Sequence, residues 1–368
     1  MGTAKALTFG ILTSGGDCPG LNAAIRGVVK ATAGMQGGSI AIGIADGYRG
    51  LIEGRSRTLG PEDVSDILTR GGTILGSSRE KPFELRDDGP RTDADEGMDK
   101  PELIKDTYKK LGLDCLVVLG GNGTQTTASL LQDEGLRVIG LPKTIDNDLW
   151  GTEVSFGFHS AVGIATEAID RLHSTASSHN RVMVIELMGH KAGWLSLYSG
   201  IAGGGDVILL PEIPYEREAV ARSILRRAKA GKRFSIVVVA EGALSAFEAA
   251  MDKKDRKKAR AAMSWPSIGY RVAAEIAEDT AMETRVTVLG YLQRGGIPSA
   301  YDRILATAFG SAAAELMREG ESGRMIAMRD GAITSLPLAE VAGKTRKVPK
   351  DHEILETARR VGTSFGDE

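Results

Sequence analysis

The chain has 368 residues, 42% of them apolar and 26% charged, with a formal net charge of −2; that length exceeds one hydrophobic core, so two domains are expected. So small a net charge excludes a global field for nucleic acid or an acidic membrane, and any anion site has to be local. Cys18 and Cys115 have no near partners, which argues against a disulfide framework or zinc site and fits a reducing cytoplasm, and no apolar run approaches the roughly 18–20 residues of a membrane helix.

In chain order, apolar runs predict strands at Leu7–Thr13, Ser39–Ile44, Cys115–Leu119, Val138–Leu141, Val182–Leu187, Val207–Leu210, Ser235–Ala240 and Arg285–Leu289. Helical patterns lie between or after them at Leu21–Ala33, Pro101–Leu111, Thr124–Glu134, Phe158–Ser177, Glu216–Ala230, Ile268–Glu278 and Asp302–Glu319. Continuous Val/Ile/Leu runs suit parallel strands buried on both faces. Alternating βα units therefore predict an α/β fold with two doubly wound domains and mainly parallel sheets. The 47 glycines cluster at strand ends, where open α/β sheets place their ligand crevice. The Lys/Arg-dense run Asp252–Arg260 reads as a solvated helix face or loop in preference to a phosphate site, and Arg26 and Lys30 as solvated charges on the first helix in preference to an effector site.

Four motifs carry chemistry. Thr13–Asn22 (TSGGDCPGLN) joins a strand to a helix, and Gly15 and Gly16 would let backbone N–H groups face an anion; a tight strand–helix turn explains it as well. Gly120–Thr124 (GGNGT) repeats that arrangement. Pro142–Asp148 (PKTIDND) sets Asp146 and Asp148 beside Lys143 and Thr144, so one carboxylate can accept a proton while the other helps hold magnesium; an Asx-rich turn is the plainer reading, but the two candidate phosphate loops reverse that preference. Finally Arg79, Arg181, Arg285 and Arg294 sit at strand or loop edges, where guanidinium suits phosphate.

With SGGDCPGLNAAIRG, RGGTILGSSR, GGNGT, PKTIDND, AIDRLHSTASSHNR, VIELMGHKAGW, AEG, TVLGYLQRGG and YDRILA in this order, roughly Gly10 to Gly310 strongly resembles the phosphofructokinase family. The resemblance implies an active-site cleft between two α/β domains and ATP-dependent phosphorylation of fructose 6-phosphate at O1, a step of glycolysis. A donor domain would take residues 1–150 with about 300–335, a sugar-phosphate domain 151–299, and a peripheral extension 336–368. Asp146 would be the base; Gly15, Gly16, Arg79, Gly121, Asn122, Gly123, Thr124 and Lys143 would hold the donor. Thr144, Ile145, Arg181, Met188, Gly189, His190, Glu241, Arg285, Tyr291, Leu292, Gln293 and Arg294 would line the sugar side, with Mg2+ on Asp148 and Asn122. In the family, arginines matching Arg181 and Arg285 reach in from a neighbouring subunit, implying a homodimer or homotetramer.

Some positions depart from the best-known ATP-dependent bacterial form: His190 replaces an arginine, Tyr291 a histidine and Asn122 an aspartate. The donor is argued from two residues. Gly123 leaves open the space that an aspartate obstructs in pyrophosphate-using relatives, and so favours ATP. Lys143 is the residue those relatives carry, which keeps pyrophosphate as the alternative. A distant NAD or lipid kinase would not need PKTIDND or LGYLQRGG, and a non-catalytic sugar-phosphate sensor would not need Asp146 and Asp148.

Overall fold

A computed structural model describes residues 6–35, 37–83 and 99–368. In chain order the elements are β1 (Leu7–Thr13), α1 (Leu21–Ala33), β2 (Ser39–Ile44), α2 (Tyr48–Glu53), β3 (Ser56–Leu59), α3 (Lys100–Lys110), β4 (Cys115–Gly120), α4 (Asn122–Asp133) and β5 (Val138–Pro142). There follow α5 (Phe158–His179), β6 (Val182–Leu187), α6 (Trp194–Ala202), β7 (Val207–Leu209), α7 (Arg217–Lys229), β8 (Ser235–Ala240), α8 (Ala246–Ala250), α9 (Lys253–Ala261), α10 (Ile268–Thr280) and β9 (Thr284–Val288). The chain closes with α11 (Ala300–Arg318), β10 (Arg324–Arg329), β11 (Ala332–Pro337), α12 (Leu338–Val341) and α13 (Glu353–Arg360).

Two compact units result. The first takes Met1–Thr144, Leu149–Ser160 and Arg294–Thr345. Its sheet runs β11-β10-β5-β4-β1-β2-β3. The five central strands are parallel and the two edges antiparallel. Every residue of β4 and β5 is buried, as expected of central parallel strands covered on both faces. The core includes Leu12, Tyr48, Leu116, Val118, Leu131, Val138 and Met325.

The second unit takes Ile145–Asp148, Ala161–Gln293 and Arg346–Glu368. Its sheet, β7-β8-β6-β9, is wholly parallel. Val184, Leu209, Val237, Val239 and Ile276 are among its core side chains. Local signals stop and start its helices: α8 opens with a capping box between Ser245 and Glu248, which satisfies two orphan N–H groups at once. α9, the Lys/Arg-dense run, has no buried residue and is a solvated helix.

The eight predicted strands and seven predicted helices all form, with ends shifted by at most two residues. Strand β3 was invisible because Ser56, Arg57 and Thr58 are exposed and give no apolar run. The segment 336–368 corrects the sequence reading: it is no peripheral extension. Leu336, Leu338 and Val341 are buried in the first unit, and Val348, Leu355 and Phe365 in the second. Its apolar residues are too widely spaced among charges to show a run in sequence.

Candidate active site

The first glycine loop of the first unit is held by its carbonyls. After β1, Gly15 turns the chain with φ +83°, a left-handed value that glycine adopts without strain. The hydroxyl of Ser77 donates to the Gly15 carbonyl at 2.6 Å, and that of Ser78 to the Asp46 carbonyl at 2.7 Å. Lys143, almost fully buried, donates its ammonium to the Gly16 carbonyl. Arg294 Nη1 donates to the Asp17 carbonyl at 3.0 Å. A Cβ at Gly16 would stand 2.6 Å from Arg294 Nη1, so the guanidinium lies directly on this loop.

One expectation changes here. Gly15 N–H donates to the Ser78 carbonyl at 2.9 Å, so Gly15 supplies the turn while its N–H is spent inside the protein. Arg294, expected from sequence at the sugar phosphate, contacts the first glycine loop through the Asp17 carbonyl. Sequence order alone could not say which loop its long side chain reaches.

The second glycine loop starts α4. Thr124 Oγ1 donates to the Ser14 carbonyl at 3.4 Å and the buried Tyr48 hydroxyl to the Thr124 carbonyl at 2.9 Å, which joins the two loops. Gly121 stands at the N-cap of α4, Asn122 is half-buried, and a Cβ on Gly123 would meet nothing within 4 Å. The N-terminus of α4 thus faces open space at a position suited to an anion. Arg79 is exposed beside Ser78, the residue that ties the first loop. Cys18 is buried and burial pushes its thiol up to about 12, so it packs and does not act as a nucleophile.

The carboxylate loop follows β5. The Thr144 carbonyl accepts from the Ser155 hydroxyl at 2.8 Å. Ile145 is fully buried, so its side chain packs in the core and its backbone is the part available to a ligand. Asp146 is half-buried, Asn147 adopts φ +52°, and Asp148 is buried.

The second unit holds its Met188–His190 loop by its N–H groups. Glu241, at the end of β8, accepts from Gly189 N–H at 3.2 Å and His190 N–H at 2.7 Å. The amide oxygen of Gln293, a fully buried residue, accepts from Met188 N–H at 2.8 Å. Tyr291 and Leu292 next to it are among the most exposed large apolar side chains. Arg181 donates to Glu283 at 2.8 Å, and Arg285 pairs with the same carboxylate. Those bonds, Arg181 first, hold the Glu283 carboxyl below its usual range. Sequence reading missed Glu283; its place two residues before Arg285, directly ahead of β9, was the available signal.

The described residues contain no group of three or more His, Cys, Asp or Glu side chains that could cage a metal. Mg2+ does not need one: it takes one or two carboxylates and completes its shell with phosphate oxygens and water. A buried Asp148 and the half-buried Asn122 are hard oxygen donors of that kind.

Glycine loops at two strand–helix turns, cations on the carbonyls of the first and a carboxylate loop after a third strand make up the equipment of a phosphotransferase. Residues 8–317 match the Phosphofructokinase family profile. Over 98% of both chains, the sequence is 66% identical to ATP-dependent 6-phosphofructokinase of Spirochaeta thermophila. It is 52% identical to ATP-dependent 6-phosphofructokinase 3 of Bacteroides thetaiotaomicron, over 98% of this chain and 100% of the relative. The structure of phosphofructokinase from Saccharomyces cerevisiae superposes with a TM-score of 0.78 at 30% identity, covering 91% of this chain and 45% of the yeast chain. The chain belongs to the phosphofructokinase family.

Proposed function

We propose that the protein transfers the γ-phosphoryl group of ATP to the O1 hydroxyl of D-fructose 6-phosphate, giving fructose 1,6-bisphosphate and ADP. Asp146 accepts the O1 proton as the phosphoryl group moves, and Thr144 holds the same end of the sugar. Such transfer needs positioning and charge neutralisation more than covalent chemistry from the protein. Asn122, Gly123 and Thr124 at the start of α4, with Arg79 and Lys143, hold the donor phosphates. Asp148 is the residue we assign to Mg2+, with the Asn122 carbonyl as second candidate. The ion, when bound, neutralises charge on the donor phosphates.

Glu241 and the Met188–His190 loop hold the sugar. Arg181 and Arg285 receive a 6-phosphate from the active site of a neighbouring copy, a reading supported by their convergence on the one carboxylate of Glu283, which sets the two guanidinium groups together. A homo-oligomer in the cytoplasm goes with that arrangement and with two unbridged thiols.

The observation that carries ATP as donor is the open space beside Gly123. Lys143 supports the second reading, pyrophosphate as donor, because its ammonium sits on the first glycine loop. One relative, 46% identical over 94% of this chain, is a pyrophosphate–fructose 6-phosphate 1-phosphotransferase from Amycolatopsis methanolica. The test is fructose 1,6-bisphosphate formation with Mg2+ and either ATP or pyrophosphate. Turnover with ATP alone is expected. Turnover with pyrophosphate alone overturns the donor, and turnover with neither overturns the reaction.

A further inference from the structure

The segment after Thr345 lies beyond the part of the chain that matches the family profile, and it returns to the carboxylate loop. Arg346 donates its backbone N–H to the Asp148 carbonyl at 2.7 Å, and its Nη1 to the Asn147 carbonyl at 3.0 Å. Its guanidinium carbon stands 4.0 Å from the ring centroid of Trp194, within range of a cation–π contact. Trp194 is buried, and its Nε1 returns a hydrogen bond to the Arg346 carbonyl at 3.2 Å. Two residues further on, Val348 N–H donates to Glu212 Oε1 at 3.1 Å. The same carboxylate accepts from Gly193 N–H at 3.0 Å, at the start of α6. A short strap is therefore fixed to the carboxylate loop at one point and to the helix behind the sugar loop at two.

What the strap holds is specific. Asn147 sits between the two aspartates in a left-handed conformation, φ +52°. A non-glycine residue stays there only when its surroundings fix it. The carbonyls that set the peptide planes on the C-terminal side of Asn147 and of Asp148 are the two that Arg346 grips. An arginine bound to carbonyls usually serves stability alone; here the bonded peptides are the two that flank Asp148, and the first of them begins at Asn147, the residue directly after Asp146.

We propose that Arg346 is a positioning residue for phosphoryl transfer, holding the Asp146–Asp148 backbone so that the carboxylate of Asp146 meets the sugar hydroxyl. This rests on the reading of Asp146 as base. The test compares R346A, R346Q and R346K in the full chain, measuring kcat, KM for ATP and for fructose 6-phosphate, and the melting temperature. Misplacing a reacting group by about 1 Å can cost about 10²-fold. R346A and R346Q should therefore lose about tenfold to a hundredfold in kcat, with KM for ATP within about twofold of the wild type. R346K should recover part of the loss, and added guanidinium ion at a non-denaturing level should raise kcat of R346A alone.

An unchanged kcat in folded R346A overturns the proposal, as does a loss that disappears once rates are normalised to folded protein. If R346A does not fold, the R346Q to R346K comparison decides by the same criteria. D146N is run beside them: wild-type activity there overturns the base and the positioning role together, whereas inactive D146N beside fully active R346A overturns the positioning role alone.

Discussion

The first glycine loop of the first unit and the Met188–His190 loop of the second are fixed with opposite chemistry. In the first, hydroxyls, an ammonium and a guanidinium donate to loop carbonyls at Gly15, Gly16 and Asp17. In the second, side-chain oxygens of Gln293 and Glu241 accept from loop N–H groups at Met188, Gly189 and His190. Glu186 does the same for Gly269 N–H at 2.7 Å, and Glu212 for Gly193. Gripping carbonyls with cations brings positive charge to a loop, which suits a polyphosphate donor. Gripping N–H groups with carboxylates fixes a loop rigidly and leaves it no surplus of positive charge, which suits neutral sugar hydroxyls.

The sharpest break in this comparison is at the carboxylate loop. D146N should lower kcat by about 10²–10⁴-fold, the range of general-base catalysis, with the melting temperature nearly unchanged; steady-state kinetics with calorimetry checks both. Next is G123D. A Cβ there meets nothing within 4 Å, so the variant should fold normally. A carboxylate at the start of α4 should raise KM for ATP at least about tenfold through like-charge repulsion; an unchanged KM breaks the argument that Gly123 admits the nucleotide.

On the sugar side, E241Q keeps the shape but replaces a charged acceptor of two N–H groups with a neutral one. A charged hydrogen bond is worth about 1.5–3 kcal/mol, so KM for fructose 6-phosphate should rise about tenfold while KM for ATP stays put. An equal rise in both would mean that the carboxylate serves the whole enzyme and not the sugar loop.

The smallest effect concerns stability. Glu248 is bonded by Arg271 at 2.6 Å and Arg260 at 2.9 Å. Burial works against its charge, but the bonds from the two arginines outweigh burial and hold its carboxyl at about 2. Its folded value lies below the ordinary one, so the stabilisation is present in full above the ordinary carboxylate range and is lost as pH falls toward 2. E248Q should melt a few degrees below the wild type at pH 7, and the gap should close on acidification; a constant gap would remove the charge from the account.

Much of this was legible before folding. The Val/Ile runs of β4, β6 and β8 are buried on both faces and could be nothing but central strands. Gly15, Gly123 and Asp146 were singled out because each follows a strand, where an α/β sheet exposes ligand-binding loops, and Glu241 through the family resemblance. The solvated character of α9 followed from its charge alone.

Other features depend on contacts between residues far apart in the chain. Arg294 reaches Asp17, the Gln293 amide binds Met188 N–H, Glu283 pairs with Arg181, and Arg346 grips the carbonyls beside Asp146. Each partner is a long polar side chain whose reach covers several loops, so local pattern cannot select among them. Apolar periodicity and glycine placement are short-range and determined the elements and the order of the site. The tertiary structure alone decided which polar group answers which, because a buried hydrogen bond is settled by where the backbone finally brings donor and acceptor.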